Sequence, residues 1–348
     1  MRMYQTEITH LKSVCLHHIG SKADDEGIVL SGEPLQLDEA SLKNLFTYCL
    51  SSFKEGETFC FHNELGLQFN EACACVGKLF ADPQTIVEQS QNLAKVLYEH
   101  SEHPGIKSGD LIVAYFTDCQ INGYVTDAVG LYKCENPTSF LSVVCEADNA
   151  QITTLQGLDL KHVDKAALIF NTDADEGYRM AIIDNTNRTE AKYWVDDFLQ
   201  AKPYADEYQH TRTFLNATKA FITKELPATQ EVSRGEQAEL LDKALRYFKE
   251  NDTFAMDDFN QQVMGDESLS ANFGQYVDDY MAKNDLEPAE NFAISESAVK
   301  KSSRSMKSVI KLDRNFHIYV HGGEGLIKKG HDEETGMEYY QLYFKKEE

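Results

Sequence analysis

The chain has 348 residues, of which 33 are Lys or Arg and 57 are Asp or Glu, so its formal net charge is −24. This length allows two domains, and the 42% hydrophobic content supports packed cores, which excludes a wholly disordered chain. No segment approaches the ~20 apolar residues of a membrane span, and the N-terminus lacks the apolar core of a signal peptide, so we expect a cytoplasmic protein without a membrane partner. The net charge alone argues against nucleic acid.

The eight cysteines all lie in the first 150 residues, mostly inside apolar runs, and none forms a CxxC motif. This distribution is typical of buried, reduced thiols in a cytosolic protein. Eight cysteines also permit a disulfide framework, but a chain of this size has a core and does not need one.

The first third of the chain mixes predicted strands and helices. A strand is predicted over residues 6–20. A helix is predicted after Asp38, an N-cap residue followed by acids in the first turn and apolar residues at helical spacing. Residues 57–67 are interpreted as strand or turn. A second helix is predicted from Asp82 and Pro83, because proline suits the first helical position.

Three strand-rich regions follow. Residues 109–117 and 124–132 predict a hairpin around an Asn-Gly turn, and 140–145 predict a further strand. Residues 166–183 predict another hairpin, because two apolar runs flank a polar turn. The spacing of Tyr193, Trp194, Phe198 and Leu199 predicts an amphipathic helix starting near residue 189 or 190. Residues 1–202 are therefore predicted as an α+β domain, a mostly antiparallel sheet of about five or more strands with packed helices.

Residues 203–348 are predicted as a mainly helical domain. Helices are predicted over 208–226, 233–248, 256–264 and 272–281, the first ended by Pro227 and the second opened by a capping box of Ser233 and Glu236. Residues 300–348 combine a basic segment with a small antiparallel β element, built from runs at 316–320, 326–329 and 339–344.

The sequence contains no recognisable metal-binding or catalytic motif. His17 and His18 are adjacent and would face apart on a strand, and His100 and His103 end a helix, so neither pair predicts a metal site. Residues 171–177 resemble a calcium loop, but a hydrophobic residue occupies the position of the bidentate glutamate. GxSxG, P-loop, GxGxxG and HExxH motifs are absent. The sequence thus predicts no catalytic residue, no metal and no cofactor, with an unrecognised hydrolase as a minor alternative.

Charge is segregated along the second half. Residues 250–296 hold twelve acidic residues and one basic residue, Lys283. Residues 300–331 hold eight basic and two acidic residues, beginning with serines and spaced cations that suit an exposed loop or arm. The candidate DNA-backbone contacts are Lys300, Lys301, Arg304, Lys307, Lys311, Arg314, Lys328 and Lys329. Phe316, Tyr319, Tyr339 and Tyr340 lie nearby for stacking. The alternative is a solvated surface, or a segment that neutralises the acidic one within the fold or a dimer.

The segments ALIFNTDADEGYRMAIID, YWVDDFL and LDRNFHIYVHGGEGLIKKGHDEETGMEYYQLYF resemble the bacterial nucleoid-associated protein family of the NdpA/YejK type. The resemblance covers most of the chain. It implies a cytosolic protein that associates with the bacterial chromosome and has no known enzymatic activity. It assigns no functional residue, so the candidate site rests on charge.

Two hypotheses result. The first is a non-enzymatic nucleoid-associated protein that binds the DNA backbone with little sequence preference through residues 300–329. The second is an acidic interaction protein that docks on a DNA-handling protein partner through residues 250–296 without binding DNA. A two-fold homodimer is the default expectation for either.

Overall fold

A computed structural model describes residues 8–121, 123–146, 149–186, 193–284, 286, 289–306, 308–312, 314–320 and 326–346. The chain divides into two compact units, Met1–Tyr204 and Ala205–Glu348, called here the N-terminal and C-terminal units. Helices account for 41% and strands for 30% of the chain, which confirms the predicted α+β class. That residues 1–202 and 203–348 fold as separate domains stays a prediction.

A large antiparallel sheet forms the centre of the N-terminal unit. The strands of this unit are β1 His10–Ile19, β2 Ile28–Val29, β3 Phe59–Phe61, β4 Gly109–Ile121, β5 Tyr124–Cys134, β6 Thr138–Glu146, β7 Asn149–Gly157, β8 Lys165–Phe170, β9 Arg179–Asp184 and β10 Ala201–Pro203. Eight of them form one sheet in the order β10-β3-β9-β8-β5-β4-β1-β2. The predicted antiparallel sheet is confirmed.

The strand predicted at 140–145 lies within β6, but β6 does not join the large sheet. It pairs with β7, which the sequence analysis did not predict, in a separate two-stranded hairpin. The reason is that β5 pairs directly with β8, so the residues between them are an insertion at the ends of two neighbouring strands.

Three α-helices cover the sheet: α1 Glu39–Ser51, α2 Glu71–Ala81 and α3 Ile86–Glu99. Asp38 caps α1 as predicted, because its carboxylate accepts a hydrogen bond from the Ser41 amide at 2.7 Å. Asp82 accepts one from the Gln84 amide at 3.0 Å, at the start of the short 3₁₀ turn that leads into α3. Helix α2, capped by Asn70, was not predicted because its small residues give little periodic contrast.

Side chains from alternate positions of each strand fill two cores. On β5, Val129 and Leu131 face the core under α2 and α3, whereas Ala128 and Tyr132 face the core under α1. The sheet is therefore buried on both faces, which explains the nearly continuous apolar runs of its central strands.

The chain from 193 to 199 makes one turn, not a long helix. Tyr193–Phe198 forms a single π-helical turn, and residues 187–192, where the helix was predicted to start, lie outside the described residues. Tyr193, Trp194, Phe198 and Leu199 are all buried, as an apolar helical face predicts. The turn stops because Gln200 adopts a left-handed φ of 47° and β10 then pairs with β3.

Helices build the C-terminal unit: α4 Glu207–Ala220, α5 Leu226–Thr229, α6 Arg234–Glu250, α7 Met256–Phe259, α8 Glu267–Lys283 and α9 Glu296–Met306. The capping box of Ser233 and Glu236 at α6 is confirmed. Pro227 does not end the first helical segment, contrary to prediction. A π turn at Phe221–Glu225 precedes it and places proline in the first turn of α5, where a missing N–H costs little.

Aromatic side chains dominate the core of this unit. Phe254 stacks on Phe248 and Phe292 at centroid distances of 5.6 and 4.8 Å, and it contacts Phe214 at 4.1 Å. Phe254 and Phe292 lie on two short paired strands, β11 Thr253–Ala255 and β12 Asn291–Ala293. These rings tie the helices together around one centre.

Four further strands make two hairpins, where the sequence predicted one small β element. They are β13 Ser308–Leu312 with β14 Phe316–Val320, and β15 Ile327–Asp332 with β16 Met337–Leu342. The predicted turn at 321–325 lies outside the described residues. In the part of the chain that the structure describes, no helix has the length and apolarity required to cross a bilayer.

Candidate nucleic-acid interface

The first candidate cations lie on helix α9, not on the loop or arm that the sequence suggested. Ala298, Val299 and Met306 are buried, and α9 packs against α4 and α6. Two of its serines bond within the helix: Ser303 donates to the Val299 carbonyl at 2.6 Å, and Ser305 donates to the Ser302 carbonyl at 2.9 Å. The helix forms because its apolar residues pack against α4 and α6, and the local sequence gives no indication of that packing surface.

Lys300, Lys301 and Arg304 are exposed on the outer side of α9. Each helical residue advances by about 100°, so Lys300 and Arg304 lie about 40° apart and all three cations fall within about 100°. The Nζ atom of Lys301 is 5.4 Å from the centroid of the Tyr208 ring on α4, a cation–π distance. The fold thus holds three cations on one face of a packed helix.

The other candidate cations are more dispersed. Arg314 is exposed at the turn between β13 and β14, beyond the end of a five-residue strand that spans about 17 Å. Lys311 is placed by its backbone, opposite His317, and Lys307 lies outside the described residues. Helix α6 packs against α9, β13 and β15, so one helix supports all the elements that carry these cations.

Lys328 and Lys329 are successive residues of β15 and therefore point to opposite faces of their hairpin. The Nζ atom of Lys329 lies 3.1 Å from a carboxylate oxygen of Glu338, and that of Lys328 lies 5.5 Å from the Tyr343 ring centroid. Lys329 lowers the pKa of Glu338, and the hydrogen bond between the two side chains is the largest cause. Lys329 is thus partly neutralised, whereas no carboxylate of the described residues forms an ion pair with Lys300, Lys301 or Arg304.

The acidic segment, residues 250–296, does not neutralise the cations of α9 within the described residues. Ten of its twelve acidic residues are described, and all ten are exposed. Among the described residues, no ion pair joins any of them to Lys300, Lys301 or Arg304. One unit therefore carries both a basic helix face and a set of solvated carboxylates.

A buried polar cluster in the N-terminal unit was missed by the sequence analysis. Lys133 and Lys165 have no exposed side-chain surface, and their Nζ atoms lie 3.3 Å from Glu135 and 2.7 Å from Asp184, respectively. The Tyr193 hydroxyl donates to Glu135 and lies 3.0 Å from the Lys133 Nζ. The sequence feature that could have indicated this cluster is the presence of one lysine in each of two apolar strands, β5 and β8.

Burial shifts the pKa of two members of this cluster. It lowers the pKa of Lys133, against the opposing effect of Glu135, and it raises the pKa of Tyr193 well above its usual value. Lys133 also donates to the Lys107 carbonyl at 2.9 Å, so its ammonium has three oxygen partners. We assign the cluster to stability, because its members pair with one another beneath the surface.

The histidines behave as the strand pattern predicts. The His17 ring accepts a hydrogen bond from the Ser31 amide at 3.1 Å inside the protein, whereas His18 contacts Asp110 at 2.8 Å on the exposed side. Across the described residues, no three His, Cys, Asp or Glu side chains are grouped to hold a metal ion.

Comparison with known proteins assigns a family. No curated protein matches the chain. The model of the family described as nucleoid-associated protein YejK matches residues 15–335, which cover most of each unit and include every candidate cation. The chain therefore belongs to the nucleoid-associated protein YejK family.

Proposed function

We propose that the protein binds the DNA backbone without sequence preference through the outer face of α9. Lys300, Lys301 and Arg304 form the centre of this contact. The observation that carries the proposal is their common exposure on one face of a packed helix, unpaired with the acidic segment in the described structure. The remaining predicted contacts are Lys307, Lys311, Arg314, Lys328 and Lys329.

Family membership supplies the biological setting. The protein is nucleoid-associated, and its location is the nucleoid within the bacterial cytoplasm. The family is not a known enzyme family. DNA is the polyanion that a basic surface meets at the nucleoid, which favours this ligand for the α9 face.

A helix suits backbone contact because it fixes its cations before binding. Each phosphate that a cation neutralises releases condensed counterions, so affinity falls as salt concentration rises. The exposed acids of residues 250–296 repel DNA, and we therefore expect modest affinity with strong salt dependence. Phe316, Tyr319 and Tyr339 are exposed and available to stack on unpaired bases, whereas Tyr340 is half-buried.

A salt titration tests the proposal. Fluorescence anisotropy with a random-sequence duplex should give a negative log–log slope for the wild-type chain. The double variant K300Q/R304Q should reduce the magnitude of that slope by about 2, at about 0.9 per phosphate contact. K283Q is the matched control, since Lys283 is exposed at the end of α8, in the acidic segment.

Reversal of the charges should abolish binding. The variant K300E/K301E/R304E/K307E should show no measurable affinity at moderate salt while its circular dichroism spectrum matches that of the wild type. Unchanged affinity in this folded variant would contradict the proposal.

The second candidate function is docking on a basic, DNA-handling protein. It is favoured by the ten exposed acidic residues, which include the adjacent pairs Asp257–Asp258 and Asp278–Asp279. This alternative predicts no DNA binding even at low salt. It also predicts a partner in pull-downs that is lost when these four aspartates are changed to asparagine.

A further inference from the structure

The β6–β7 hairpin is an exposed arm that the proposed function does not use. Leu141, Val143 and Ile152 are 66%, 62% and 65% exposed on one face, and Phe140, Val144 and Leu155 are exposed on the other. From Thr138 to Cys145 and from Asn149 to Gly157 there is no charged residue, in a chain of net charge −24. The charged residues of this segment are Glu146, at the end of β6, and Asp148, which precedes β7 in the sequence. Six exposed apolar side chains on one arm of so acidic a protein mark a surface for a partner.

The composition of the arm restricts its partner. It contains neither Lys nor Arg, so neither DNA phosphates nor an anionic lipid surface would be attracted to it. Both of its outer strand edges are open within its own two-stranded sheet, and a lone two-stranded hairpin is marginally stable in water. Another β-strand added to an edge would satisfy the backbone and extend the sheet.

The sequence of β6 is complementary to itself. If β6 pairs antiparallel with β6 of a second copy about a two-fold axis at Ser142, Leu141 lies opposite the partner's Val143. In the same register, Phe140 lies opposite the partner's Val144, on the other face. Every large apolar residue of β6 thus meets an apolar residue, which is the pairing that stabilises antiparallel strands.

The other strand does not have this property. The same operation about Thr153 of β7 would place Ile152 opposite Thr154 and Gln151 opposite Leu155, so apolar residues would meet polar ones. We infer that the protein dimerises through its β6 edges, with β7-β6-β6-β7 as one four-stranded antiparallel sheet across a two-fold axis. A two-fold axis makes the interface isologous, as is usual for homodimers.

Such an interface is small, and two chains of net charge −24 repel each other. We therefore expect a dissociation constant in the micromolar range that falls as salt screens the repulsion. DNA binding through α9 has the opposite salt dependence, which separates failure of one proposal from failure of the other.

The chain carries its own reporter of this interface. Seven cysteines are buried, and Cys145, near the end of β6, is exposed. Alkylation of Cys145 should be slower at high protein concentration than at low concentration, because the dimer covers the strand. Sedimentation velocity from roughly 1 to roughly 200 µM should show a monomer–dimer equilibrium over the range expected of a small interface.

Two double variants test the register. L141K/V143K places like charges directly opposite each other across the axis and should stay largely monomeric over the same concentration range. L141E/V143K removes the same two apolar residues but places opposite charges together, and it should recover at least a tenfold tighter association than L141K/V143K. V29K is the control, because Val29 is 67% exposed on β2 of the same unit.

All these side chains are exposed, so the variants should keep the wild-type circular dichroism spectrum. A wild-type chain that stays monomeric at the highest concentration would overturn the inference. So would a dimer that L141K/V143K leaves intact, or equal behaviour of the two double variants.

Discussion

Lys133 and Lys165 lie directly opposite each other on neighbouring strands β5 and β8, and the Nζ atom of each is 5.1 Å from the centroid of the Tyr193 ring. Two buried like charges in register would destabilise the sheet unless each had an anionic partner. Glu135 and Asp184 supply these partners, and Tyr193 brings the π-helical turn against both lysines. The cluster therefore fixes the turn to the sheet.

Removal of the carboxylate that pairs with Lys133 should lower the stability of the protein, because the buried ammonium would then have no anionic partner. E135Q leaves the Lys133 charge without its carboxylate and should lower the free energy of unfolding by about 3–5 kcal/mol. K133M/E135Q removes both charges and should lower it by less than E135Q alone. Urea unfolding followed by fluorescence of Trp194, the single tryptophan, measures both values. A loss in K133M/E135Q as large as that in E135Q, or larger, would contradict this prediction.

Alkaline pH should destabilise the N-terminal unit through its thiols. Burial raises the pKa of Cys73 and of Cys134 from 9.0 to about 11. Between these values the unfolded chain has lost protons that the folded chain keeps, so the free energy of unfolding falls as pH rises. Below pH 9 both states are protonated and the contribution is fully present.

The variant C73A should remove about 2–3 kcal/mol of this decline between pH 9 and pH 11. The quantity to compare is the change in stability with pH, because the substitution also leaves a cavity at every pH. C145A is the control, since Cys145 is exposed. A decline in C73A as steep as that of the wild type would contradict the assignment.

Proline substitutions distinguish a packed α9 from a flexible arm. Ser302 lies inside the helix, so S302P should cost about 3 kcal/mol in stability of the C-terminal unit and should weaken DNA binding by disturbing the cation face. Ser297 lies in the first turn, where proline is tolerated, so S297P should have little effect on either. Thermal unfolding by circular dichroism and anisotropy measure the two responses. If S302P changed neither the stability nor the DNA affinity, the segment would be a flexible loop rather than a packed helix.

Separate expression of the two units tests the domain prediction. A fragment 1–204 should unfold cooperatively with Trp194 fluorescence as the probe, and a fragment 205–348 should retain DNA binding. Tyr204 anchors the end of the N-terminal unit, because its hydroxyl lies 2.5 Å from Glu176 and its ring is 3.9 Å from the Arg179 guanidinium. A fragment that stops at 202 should therefore be about 1 kcal/mol less stable than 1–204. Fragments that unfold without cooperativity would reject the prediction.

Local chemistry in the sequence determined much of the fold. Asp38 and the pair Ser233 and Glu236 start helices where predicted, because a cap needs only a side chain within three residues of an amide. The hairpin formed by β8 and β9 follows from its polar turn, whose residues join two apolar runs. The charges of residues 300–329 are also a property of the sequence alone.

Tertiary structure decided which of these residues meet. Lys133 and Lys165 become neighbours because β5 pairs with β8 across an inserted hairpin, a long-range register that no local pattern encodes. Lys300 and Arg304 share one face because Val299 and Met306 pack against the rest of the C-terminal unit, which makes a helix of a segment whose composition suggested a loop. Caps and turns are settled by atoms a few residues apart, whereas the burial that forms α9 depends on surfaces supplied by distant parts of the chain.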